Sequence, residues 1–129
     1  MTEAQKATRR IRRETTAAMK ALGTYREQFD PAIAVYAEMR YQLAEMSKRF
    51  FDGDIAVVEE YTNKAGATNE RKTAEYTALE QLRRDVAAAE DRLGLNPMGM
   101  KRINEAEMRS RKKVSKLTSA LEAMTKAEG

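Results

Sequence analysis

Cysteine, histidine and tryptophan are all missing from this chain of 129 residues, and proline occurs only twice. Without cysteine there is no disulfide and no thiolate metal site. Without histidine the commonest general base and metal ligand is gone. A nucleophilic triad built on an imidazole is therefore excluded, and no Gly-x-x-x-x-Gly-Lys-Ser/Thr phosphate cradle occurs. No apolar run approaches the ~20 residues that cross a bilayer. The basic beginning is not followed by an apolar stretch of signal-peptide length. Adjacent carboxylates such as Glu59-Glu60 and Glu90-Asp91 point in different directions on a helix, so they read as solvated surface rather than a cation site. The expectation is an intracellular protein with no catalytic residues, no metal, no cofactor and no membrane partner. A metal-dependent nuclease is a distant alternative.

What remains favours helices. The chain is 42% hydrophobic and 34% charged, rich in Ala, Glu, Lys, Arg and Leu, with eight methionines whose flexible thioethers fill irregular helix contacts. The net charge of +4 hides a segregation. Residues 1–26 hold seven Lys/Arg against two Glu, and residues 27–95 hold nine Lys/Arg against fourteen Asp/Glu. Residues 96–129 return to eight Lys/Arg against four Glu. Two basic ends flank an acidic middle, which suits a polyanionic partner.

Thr2 to Leu22 lacks Gly and Pro and reads as a helix that ends at Gly23. Lys6, Arg9, Arg10, Arg13 and Lys20 fall within an arc of about 100°, and Arg12 adds to the cluster. Ala4, Ala7, Ile11, Ala18 and Leu22 take the opposite side. That side is mostly alanine, so the helix is expected to dock weakly and to order against a partner. Asp30-Pro31 then signals a second helix, with Asp30 as cap and Pro31 in the first turn. Phe29, Tyr36, Met39, Leu43, Met46 and Phe50 repeat every seven residues, with Ile33 filling the gap, a coiled-coil-like seam. This helix is expected to stop near Phe51.

Residues 52–73 form a connector, with β-prone Ile55 to Tyr61 and turn chemistry at Asn63 to Gly66. A short β-hairpin returning through Thr68 to Lys72 and a helix continuing through Tyr61 both fit. From about Thr73 a second seam runs through Tyr76, Leu79, Leu82, Val86, Ala89 and Leu93, able to pair antiparallel with the first. Gly94 suits a left-handed stop, Asn96 a cap and Pro97 a first turn. The last helix carries the stripe Ile103, Val114, Leu117, Leu121 and Met124, interrupted by Glu107 and Ser110. A bend or break near Ser110 is expected. Its cations, Lys101, Arg102, Arg109, Arg111, Lys112, Lys113 and Lys116, spread around the axis.

The order of parts from about Phe29 to Leu121 resembles that of tailed-phage terminase small subunits. The resemblance rests on Tyr61-Thr62-Asn63-Lys64-Ala65-Gly66-Ala67-Thr68-Asn69 and on Leu93-Gly94-Leu95-Asn96-Pro97, with a basic helix following. Met98-Gly99-Met100 departs from the small polar residues and Arg that many relatives carry there. The resemblance implies a ring-shaped homo-oligomer in the bacterial host cytoplasm that binds the packaging-initiation site on double-stranded phage DNA. It also implies delivery of that DNA to a large subunit bearing the ATPase and nuclease, with the C-terminal helix helping to engage it.

These observations together predict a mainly α chain: a long helical hairpin with flanking helices. Residues 1–23 form a basic helix, 24–109 an oligomerisation core containing the 52–73 connector, and 110–129 a C-terminal helix or tail. Candidate DNA contacts, from charge geometry alone, are Lys6, Arg9, Arg10, Arg12, Arg13, Lys20, Lys101, Arg102, Arg111, Lys112 and Lys113. Candidate interface residues between copies are Tyr36, Met39, Leu43, Met46, Phe50, Leu79, Leu82 and Val86, since one hairpin has more apolar surface than it can cover. The rival is a helical assembly adaptor that ignores DNA.

Overall fold

Helix-capping chemistry sets most of the boundaries in this computed structural model, which describes residues 1–128 and is mainly α. Gly129, the last position of the expected tail, lies outside the described residues. Helix α1 spans Glu3–Leu22 and opens with a reciprocal capping box between Thr2 and Gln5. It closes at Gly23, whose φ of 76° lets the Thr24 N–H reach back to the Met19 carbonyl at 2.9 Å.

A 3-10 turn, Glu27–Phe29, leads into α2, Asp30–Phe51. Asp30 is therefore not the cap expected of it. Phe29 holds that position with helical φ and ψ, because the 3-10 turn already points the chain along the axis. The Asp30 carboxylate instead accepts a hydrogen bond from the Tyr25 hydroxyl at 2.9 Å. Pro31 sits in the first turn as expected.

The connector resolves in favour of a β-hairpin rather than continued helix. Strands β1, Val58–Thr62, and β2, Thr68–Lys72, pair antiparallel, with Val58 opposite Lys72 and Thr62 opposite Thr68. Asn63 organises the turn: its Oδ1 accepts from the N–H groups of Ala65 and Ala67, both at 3.0 Å. The Thr73 hydroxyl then caps α3, Ala74–Arg92, by accepting from the Tyr76 N–H at 3.1 Å.

Helix α4, Pro97–Glu128, starts where Asn96 Oδ1 accepts from the Gly99 N–H at 2.7 Å. It runs unbroken past Ser110, so the expected break is absent. Glu107 and Ser110 interrupt an apolar stripe but not the backbone hydrogen bonds, which do not depend on which way a side chain faces.

Packing follows a three-helix meander. Tyr36, early in α2, donates to Glu90, late in α3, while Arg49 meets Glu75 at the opposite end, so the two helices run antiparallel. Helix α1 packs antiparallel on α2: Lys6, Ala7 and Arg10 border one open groove with Tyr41 and Glu45, and Ile11, Thr15 and Ala18 border another with Tyr36 and Arg40. The central cluster is Met19, Ile33, Tyr36, Val86 and Leu93, where α1, α2, α3 and the α3–α4 joint converge.

Two expectations about α1 change. Its docked side is Ala4, Ala7, Thr8, Ile11, Thr15 and Met19, while Ala18 and Leu22 are exposed. Met19 is fully enclosed, so α1 is seated on its own chain by one large side chain and a row of small ones. Truncating such a buried methionine costs about 2–5 kcal/mol.

The joint between α3 and α4 is tight. Gly94 has a φ of 68°, and a Cβ there would lie 2.8 Å from both Ile103 Cδ1 and Thr24 Cγ2. A Cβ on Gly99 would lie 2.0 Å from the Asp91 carbonyl oxygen. The Met98-Gly99-Met100 segment thus has a structural reason: only glycine lets the first turn of α4 ride against the end of α3.

Candidate nucleic-acid interface

The two helices expected to contact DNA, α1 and α4, present their cations differently. On α1 the docked residues Thr8, Ile11, Thr15 and Met19 leave the opposite side free. There Lys6, Arg9, Arg13 and Lys20 recur at spacings of three, four and seven, which lines them along one stripe. Arg12 and Arg10 flank the stripe. All six are exposed. Lys6 pairs loosely with Glu3 at 3.5 Å. The four arginines have no carboxylate within ion-pair distance among the described residues. Lys20 lies over the Tyr25 ring, 5.1 Å from its centroid, which holds its ammonium near the end of the stripe.

Acidic residues of α2 border this surface without neutralising it. Arg9 and Arg12 share an open groove with Glu38, and Lys6 and Arg10 share one with Glu45. A phosphate oxygen approaching from outside meets unpaired guanidinium donors in a fixed fork geometry.

On α4 the cations divide. Arg102 donates to Asp91 at 2.7 Å and clamps α4 to α3. Lys101 lies 4.0 Å from Glu105, and Arg111 donates to Glu107 at 3.3 Å. Glu107 also accepts from Arg26, tying α4 to the α1–α2 loop. Of the expected contacts on this helix, Lys112 and Lys113 are free of such pairs among the described residues. The unbroken helix corrects the idea that these cations share no face. Arg102, Arg109, Lys113 and Lys116 recur at seven, four and three, so they fall on one side. Arg109 and Lys116, not counted among the expected contacts, belong to that face; straight-helix arithmetic would have found them.

The residues expected between copies fall into two groups. Tyr36, Leu79 and Val86 are buried within the chain's own hairpin. Burial pushes the Tyr36 phenol well above its ordinary value, reinforced by its 2.8 Å hydrogen bond to Glu90 and that carboxylate's charge. Met39, Leu43, Met46, Phe50 and Leu82 are half-buried and keep apolar surface facing outward. No cluster of acidic residues suited to a metal occurs among the described residues. No described helix is long and apolar enough to cross a membrane.

A family model described as phage terminase, small subunit, matches residues 8–110. The chain belongs to the phage terminase small subunit family. That match takes in α1 from Thr8 onward, the hairpin, the α3–α4 joint and α4 as far as Ser110, and leaves the rest of α4 outside it. No curated protein and no solved structure matches the chain. The family places this terminase small subunit in phage genome packaging, on the side of the machinery that is generally non-catalytic.

Proposed function

We propose that this terminase small subunit is the DNA-recognition component of a phage packaging motor. It works in the host cytoplasm as a homo-oligomeric ring, binds the packaging-initiation site on double-stranded DNA, and recruits and regulates the large ATPase-nuclease subunit. The observation that carries this reading is the opposition of two faces on α1. One side is locked onto α2 by Met19, and the other holds Arg9 and Arg13, flanked by Arg10 and Arg12, all four without a carboxylate in ion-pair distance among the described residues. Phosphates are the partners such a surface lacks, and phosphate contact positions a protein on a duplex before any base is read.

Residues 1–23 then serve as the DNA arm and 24–109 as the assembly core. The outward surfaces of Met39, Leu43, Met46, Phe50 and Leu82 meet the next copy around the ring. A ring multiplies one modest basic stripe into many phosphate contacts. Engagement of the large subunit by residues 110–129 rests on family likeness alone.

Gel shifts across a salt series test the reading. Affinity for duplex DNA falls steeply with salt, with a slope of roughly −0.9 for each phosphate contacted. No binding, or binding indifferent to salt, favours the assembly adaptor instead.

A further inference from the structure

Beyond Glu107, residues 108–127 of α4 are all exposed, yet they carry an apolar stripe. Val114, Leu117, Leu121 and Met124 recur at three, four and three, the spacing of a coiled-coil seam. They are about 60% exposed. Most helices in proteins draw their stability from packing such a face, and this one has nothing against it within its own chain. The stripe also lies outside the family match of residues 8–110, so family likeness does not assign it.

The geometry points to a second copy of α4 as the occupant, paired antiparallel about a two-fold axis level with Ser119. This goes beyond the ring: it is a self-complementary contact, distinct from the contact between ring neighbours.

Three features single out that arrangement. First, the stripe is symmetric about Ser119. In an antiparallel pair Val114 meets Met124 of the second copy and Leu117 meets Leu121, so all four positions are used and none hangs over. Second, the positions flanking the seam nearest the axis are Thr118 and Ala120, which meet their own counterparts. Both are small and uncharged, so the helices approach closely without burying a charge.

Third, the charge along α4 is lopsided. Residues 109–116 hold Arg109, Arg111, Lys112, Lys113 and Lys116 with no acid, whereas 117–127 hold Glu122 and Lys126. A parallel pair stacks five cations beside five. An antiparallel pair sets the cationic half of each helix beside the near-neutral half of the other, with Lys113 level with Thr125 and Arg111 with Ala127. The symmetry of the stripe therefore points to the occupant, and charge selects its direction.

The absence of native cysteine gives a clean test in the full-length chain. Val114→Cys and Met124→Cys proteins are prepared separately, then oxidised mildly, alone and mixed. The mixture forms a disulfide-linked dimer at least about tenfold faster than either alone. In the antiparallel pair like positions lie ten residues apart along the axis, roughly 15 Å, beyond disulfide reach. Ser119→Cys, on the outer face, sets the background rate.

Either of two results overturns the pairing. Val114→Cys linking to itself as fast as the mixture means parallel helices. A mixture no faster than Ser119→Cys means no second copy covers the stripe, leaving it to another protein such as the large subunit. Neither substitution touches α1, so failure here leaves the salt-dependent DNA binding of these proteins intact and separates the two readings.

Discussion

Helices α1 and α4 are both basic, but they differ in what stands behind their charges. Helix α1 has a back: Thr15 and Met19 are buried against the hairpin, and the cations on the far side are held at fixed spacing. Helix α4 has a back only over its first turns, where Gly99 meets the Asp91 carbonyl and Arg102 meets Asp91. Further along, both its apolar and its basic side are exposed over residues 108–127. A charged face on a docked helix is a rigid surface for a ligand, whereas an undocked amphipathic helix is an invitation to assembly. The same residue types thus serve two ends, decided by a few buried contacts.

The sharpest way to break this contrast is where the first turn of α4 meets α3. Gly99→Ala drives a Cβ into the Asp91 carbonyl, and costs about 3 kcal/mol of stability as the joint is forced apart. Ser110→Ala, further along the bare part of the same helix, shifts stability by no more than about 0.5 kcal/mol. Denaturant midpoints of the two variants check both. Equal midpoints would mean that α4 is not seated on α3.

A smaller effect sharpens the docked side. Tyr36 is nearly enclosed, and burial together with its bond to Glu90 holds its phenol protonated in the fold above the ordinary range. Its contribution to stability is therefore complete below an unfolded-state value of about 10. That contribution is lost as pH rises past this point, because only the unfolded chain ionises there. Tyr36→Phe costs about 1 kcal/mol at neutral pH and flattens the alkaline fall. Urea melts from pH 8 to 11 measure this; an equally steep fall in the variant would assign the loss to another group.

Much of the fold was legible because it is written in cap chemistry. Gly23, Thr73, Gly94 and Asn96 announce helix ends by backbone rules that need no knowledge of neighbours. The hairpin was half legible: Asn63 and Gly66 marked the turn, but propensity alone left a helix through Tyr61 open, and pairing of β1 with β2 decided it. The docked face of α1 is not legible in the sequence, where Ala18 and Leu22 are apolar and Thr15 is not. In the structure Thr15 is buried and Leu22 is exposed, since burial depends on where α2 passes.

Candidate interface residues show the same limit. A seam spaced in sevens cannot say whether it seals against its own chain or another, and Tyr36, Leu79 and Val86 seal within. The cations of α1 were legible, but their freedom from carboxylates was not. That freedom depends on Glu38 and Glu45 stopping short of them.

The measurement that bears most directly on the account is a paired salt series on duplex DNA. One variant neutralises Arg9, Arg10, Arg12 and Arg13 to glutamine; the other neutralises Arg109, Lys112, Lys113 and Lys116. If the docked helix is the grip, the first loses about three to four units of the log–log slope, roughly one per phosphate contact. The second loses less than half as much. An unchanged slope in the first variant, or a larger loss in the second, would contradict the account.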